Sequence, residues 1–160
     1  MGGGHYPPNM PELLVVSDSS NVREAVIAAI PDTGITVREL NHGADVMPAV
    51  KVRKPDLIVL DQQIGRMGGM ATCLDLHLEH GAGRRPYVPV LQLLDRRADV
   101  FLARRSNAEG WVVKPLDPMR LGRAITALLG GGVTRTVPTA LSPSRSAELS
   151  WGFPGSGAAW

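Results

Sequence analysis

Apolar residues fall in two rhythms along this chain. Leu13-Leu14-Val15-Val16 and Leu57-Ile58-Val59-Leu60 are uninterrupted runs. Four apolar residues in a row leave no polar face, so each run predicts a strand buried on both sides in a parallel sheet. Trp111-Val112-Val113 is a shorter run of the same kind, residues 87–93 read as another strand, and residues 35–40 alternate. The predicted strands are therefore residues 12–17, 35–40, the run ending at Asp61, 87–93 and 111–114.

Between these runs the spacing becomes helical. Val22, Ala25, Val26, Ala29 and Ile30 form a stripe behind Ser19, Ser20 and Asn21, which supply N-cap chemistry with Glu24 three residues beyond Asn21. Residues 44–53 suit a short helix with Val46, Ala49 and Val50 inward and Pro48 in its first turn or kinking it. Gly68-Gly69 leads into a helix containing Met70, Cys73, Leu74 and Leu78, which stops near Gly81. Asp95 is read as the N-cap of a helix with Ala98, Phe101 and Leu102 inward. Asp117 caps a last helix, with Pro118 in its first position and Leu121, Ala124, Ile125 and Leu128 inward. Five strands alternating with five helices predict an α/β fold, a doubly wound five-stranded parallel sheet.

Three of the strands end in chemistry. The first ends at Ser17-Asp18, the third at Asp61 and the fifth at Lys114-Pro115. In open parallel sheets, ligands sit beyond the carboxyl ends of the strands. Taken alone, Asp61 reads first as an acid ending a strand at a turn. Taken together, two carboxylates at one sheet edge suit Mg²⁺, and a neighbouring lysine suits a phosphoryl oxygen.

The order and intervals of Asp18, Asp61, the glycine-bearing loop 65–69 and Lys114-Pro115 resemble the CheY-like receiver domain of bacterial response regulators, over roughly residues 12–129. The resemblance implies a flavodoxin-like fold and a single-domain receiver in a two-component phosphorelay. Asp61 would then accept a phosphoryl group from a sensor histidine kinase or phosphotransfer protein. Asp18, Asp61 and the backbone carbonyl of Gln63 would hold Mg²⁺, and Lys114 would meet Asp61 at rest and the phosphoryl oxygen afterwards. Trp111 stands at the position of a switching aromatic that couples the site to the face of helix four, strand five and helix five, where a downstream protein would dock; a large core side chain is the alternative. No enzymatic activity is implied beyond Mg²⁺-dependent phosphorylation and dephosphorylation of Asp61.

Two positions depart from the family pattern. Ser17 stands where the family has a second acid, which weakens Mg²⁺ binding. Leu94 stands where a hydroxyl would bond the phosphoryl group, and Asp95 beside it adds negative charge. These departures favour the alternative of a phosphorylation-independent pseudo-receiver acting as a protein-interaction module. A flavodoxin-like small-molecule binder using the same crevice is a third reading.

Composition narrows the field further. With 44% hydrophobic residues, 17 basic against 15 acidic side chains and only seven aromatics, a globular core of Leu, Val, Ile, Ala and Met is expected. The arginine pairs at 84–85, 96–97 and 104–105 are read as a solvated helix face, and the last two pairs as contacts for an acidic partner, rather than as a nucleic-acid site. His42, His77 and His80 lack ligand spacing and Cys73 reads as a buried thiol. There is no apolar run of membrane-spanning length and no signal-peptide pattern, so a cytoplasmic location is the default expectation. Residues 1–11 are expected to be a flexible arm, 12–130 the receiver-like domain and 131–160 a disordered tail, although Trp151, Phe153 and Trp160 are unusual in such a tail.

Overall fold

A computed structural model of the chain describes residues 10–31, 34–65, 67–130 and the backbone of 151–152. Its elements are β1 (Glu12–Val16), α1 (Ser20–Ala29), β2 (Thr36–Leu40), α2 (Val46–Val52), β3 (Leu57–Asp61), α3 (Gly69–Gly81), β4 (Val90–Leu94), α4 (Val100–Arg105), β5 (Gly110–Val113), α5 (Pro118–Leu129) and β6 (Trp151–Gly152). The sheet order is β2-β1-β3-β4-β5-β6. The first five strands are parallel, with Leu14 beside Ile58 and Val59 beside Leu91, for example. This is the doubly wound sheet with five helices that the sequence pattern predicts.

Alternation along the buried strands divides the core. Leu13, Val15, Leu57, Val59, Leu91, Leu93 and Val112 face α1 and α5, meeting Val26, Leu121 and Ile125 among others. Their neighbours Leu14, Val16, Ile58, Leu60, Leu94 and Trp111 face α2, α3 and α4, meeting Val46, Val50, Cys73 and Ala103. A strand apolar on both sides is thus satisfied only by helices on both faces. β1 is followed by β2 on one side and β3 on the other. The switch in strand order therefore opens a crevice at the carboxyl ends of β1 and β3.

The caps mostly follow the sequence. The Ser19 hydroxyl accepts from the Val22 amide at 3.4 Å, which makes Ser19 the N-cap of α1. Asp117 accepts from the amides of Met119 and Arg120 at 2.8 and 3.3 Å at the start of α5. Pro48 lies in the first turn of α2, where its missing N–H has no partner to lose.

Beyond shifts of one or two residues at several element ends, three boundaries differ from expectation. β4 begins at Val90 rather than Tyr87, because Pro86 and Pro89 cannot donate to a ladder; Tyr87 lies outside the strand, 44% exposed. Asp95 does not cap α4. The chain makes a 3₁₀ turn over Arg97–Asp99 first, and α4 starts only at Val100. That turn changes which face is inward: Ala103 is buried, whereas Ala98 is exposed and Phe101 is 54% exposed.

The third concerns the ends. Most of the expected arm and tail, residues 1–9, 131–150 and 153–160, lies outside the described residues. Pro11, assigned to the arm, accepts from the Thr36 amide at 2.9 Å. Residues 151–152, assigned to a disordered tail, form β6 and pair antiparallel with β5, making the sheet six-stranded.

Candidate functional site

Asp61 is the last residue of β3 and is 2% exposed. A carboxylate taken this far from water needs partners for both oxygens. Oδ1 accepts from Lys114 Nζ at 2.9 Å and from the Gln63 amide at 3.2 Å, and Oδ2 accepts from the Ser17 hydroxyl at 2.8 Å. Lys114 reaches it from the end of β5, where its own amide donates to the Leu94 carbonyl at 2.7 Å. Asp61, Lys114 and Ser17 are thus gathered in one cluster from three strand ends.

Asp18 stands at the exposed mouth of the crevice, and its Oδ2 accepts from the Gly65 amide at 3.1 Å. That bond fastens the loop after β3 to the end of β1. The same loop enters α3 through Gly69, where a Cβ would lie 2.6 Å from the Asp61 carbonyl oxygen and 2.7 Å from the Gln62 Cα. Only a residue without a side chain lets α3 start this close to the site.

Asp95, expected to cap α4 and to add negative charge beside Leu94, pairs with the lysine of this cluster. Its Oδ1 lies 2.9 Å from Lys114 Nζ, so one ammonium bridges two carboxylates. Half-burial by itself lowers the lysine's pKa, but the hydrogen bonds to Asp95 and then Asp61 outweigh it and the net shift is upward. Lys114 is a fixed cation here. The adjacency of Asp95 to Leu94 announced the negative charge at the site but not its ion pair with Lys114.

Leu94 is fully buried and Trp111 is 1% exposed, both in the apolar cluster facing α2, α3 and α4. Trp111 is a core residue in this conformation, and Leu94 brings no hydroxyl to the crevice. His77, which lacks the spacing of a metal ligand, has defined partners. Nε2 lies 2.9 Å from Glu109 Oε1 and Nδ1 lies 2.8 Å from the Cys73 carbonyl. Tyr87 also donates to Glu109, at 2.8 Å. This cluster sits at the amino ends of β4 and β5, away from Asp61.

The donors at the crevice are all hard oxygens, as Mg²⁺ requires. Asp18 and Asp61 bring carboxylates to the crevice, and Ser17 brings a hydroxyl. Among the described residues no three His, Cys, Asp or Glu side chains gather as metal ligands. These side-chain oxygens are of the kind that Mg²⁺ takes.

A parallel α/β sheet with an aspartate at its topological switch point, paired to a lysine from the end of β5, defines the CheY-like class of flavodoxin-like folds. The response regulator receiver domain model matches residues 13–126, and the chain belongs to that family, the receivers of two-component signalling. It is 28% identical over 119 residues to the DNA-binding response regulator MtrA of Mycobacterium tuberculosis, covering 73% of this chain and 50% of that protein. It is 34% identical over 123 residues to an uncharacterised response regulatory protein of the same organism, covering 73% of this chain and 90% of that one. The chain spans about half the length of MtrA and its counterparts in related mycobacteria. In fold it is similar to the chemotaxis response regulator CheY4 of Vibrio cholerae, with a TM-score of 0.66 and 22% identity over 75% of this chain and 99% of that one. Receivers of this family interact with kinases or phosphotransfer proteins and generally bind Mg²⁺. No helix among the described residues is long and apolar enough to cross a membrane.

Proposed function

We propose that this chain is a phospho-receiver that takes a phosphoryl group on Asp61 and signals through protein contacts. The observation that carries the reading is the 2.9 Å contact between Lys114 Nζ and Asp61 Oδ1 at the switch point of the sheet. A carboxylate oxygen of Asp61 attacks phosphorus in line while the bond to the donor, the imidazole nitrogen of a phosphohistidine, breaks. The negative charge spread over the equatorial oxygens must be met by cations already in place. Lys114 supplies one. Asp18, Asp61 and the Gln63 carbonyl are the residues that would hold Mg²⁺, which when bound supplies the second positive charge. Ser17 donates to Asp61 Oδ2 at rest and must turn its hydroxyl away, or keep it on that oxygen, as the other oxygen reacts. The output surface of this reading is the face of α4, β5 and α5.

A second reading has its own support. Ser17 and Lys114 already satisfy both Asp61 oxygens, Asp95 holds the lysine, and Leu94 leaves no hydroxyl to sense a phosphoryl group. A pseudo-receiver read without phosphorylation would look like this. The two separate on incubation with Mg²⁺ and acetyl phosphate followed by intact-mass measurement. Gain of one phosphoryl group by the chain, absent in Asp61→Asn, supports the phospho-receiver; no gain from acetyl phosphate or from a phosphorylated histidine kinase leaves the pseudo-receiver.

A further inference from the structure

The two sides of the sheet are protected differently. β2 carries Arg38, paired to Glu12 at 2.6 Å, and Glu39, paired to Arg23 at 3.1 Å. Charged side chains on an outer strand discourage pairing with another molecule. β5, on the other side of the five parallel strands, reads Gly110-Trp111-Val112-Val113, buried throughout and without a charge. Nothing in its side chains would deter a strand from a second molecule. Its outer backbone is instead met by β6, with Trp151 opposite Val112 and Gly152 opposite Trp111.

We propose that Trp151–Gly152 is an edge cap acting in cis, which closes β5 to edge-to-edge pairing with a second copy of this chain. Twenty-one residues, 130–150, separate α5 from the cap. At about 3.3 Å per residue they reach far more than the roughly 18 Å length of a twelve-residue helix, so return to β5 of the same molecule is geometrically open. A two-residue ladder is weak by itself. Tethering changes the balance, because it presents the strand at an effective concentration on the order of millimolar, above that of a second copy in dilute solution. The cap therefore holds when the protein is dilute and yields to a partner that binds β5 more extensively. It also lies on the central strand of the α4, β5, α5 face, so its release and the use of that face are the same event.

The test compares the full-length chain with a full-length Trp151→Pro, Gly152→Pro variant, whose two prolines have no N–H to pair. Amide exchange at β1 and β3 reports whether the fold is intact in both. In the parent, the β5 amides that face away from β4 are expected to exchange at least about tenfold more slowly than in the variant. The variant is expected to self-associate in sedimentation equilibrium at a concentration at least about tenfold lower. Equal exchange in the two proteins, or equal self-association, overturns the proposal. So does β5 protection in the parent that rises with protein concentration, since that places the strand on a second copy.

Discussion

At the scale of single residues the site is decided by how few charges surround Asp61. Ser17 is fully buried and holds Asp61 Oδ2 by a neutral bond. Restoring a carboxylate with Ser17→Asp adds a ligand charge beside Asp61, and Mg²⁺ affinity is expected to rise by about tenfold or more. The same change places like charges together in a buried spot, so the metal-free variant should melt below the parent and recover on adding Mg²⁺. Titration calorimetry and a melting curve with and without Mg²⁺ check both halves. Asp95 acts in the opposite sense, since it draws on the lysine that a phosphoryl oxygen needs. Asp95→Asn removes that competition, and labelling of Asp61 by a small phosphodonor should quicken by about three- to tenfold. An unchanged labelling rate would leave Asp95 as a bystander.

At the scale of elements, two contacts join pieces distant in the chain. α1 and α5 approach so closely at Gly122 that a Cβ there would lie 2.8 Å from the Ala29 carbonyl oxygen. Alanine ordinarily favours a helix over glycine by about 1 kcal/mol. Here the obstructing atom is backbone and cannot swing aside, so the clash wins and Gly122→Ala should destabilise by about 1–3 kcal/mol in urea unfolding. The second contact ties α3 to the start of β5. The Cys73 sulfur, then the Glu109 carboxylate, hold His77 protonated, moving its pKa from 6.5 up to about 10. A group raised on folding contributes stability that is complete below its unfolded pKa and is lost as pH rises through the folded one. Unfolding midpoints should therefore fall between pH 6.5 and about 10, and the slope should flatten in His77→Gln.

At the scale of the whole molecule, the architecture was legible because it rests on burial. Strands that read Leu-Leu-Val-Val and Leu-Ile-Val-Leu have no polar face, and no arrangement other than helices on both sides satisfies them. Asp61 and Lys114 were legible for the same reason, as the polar residues at which those runs stop. What the sequence hid depended on geometry between segments. Asp95 has the composition of a helix cap, and only the intervening 3₁₀ turn turns it toward Lys114. The Glu109 cluster joins residues more than thirty positions apart with no local pattern. Trp151 was conspicuous as an aromatic, but its pairing with β5 is a backbone event that composition does not announce.

An aspartyl phosphate is an acyl phosphate, and borohydride reduces it to the alcohol, leaving homoserine in its place. The deciding measurement is peptide mass mapping after phosphorylation and borohydride reduction of the full-length chain. Homoserine is expected at position 61 and nowhere else, with the signal lost when Mg²⁺ is chelated. An unmodified aspartate at 61 after exposure to both a small donor and a phosphorylated kinase, or a phosphoryl group found on another residue, would contradict that expectation.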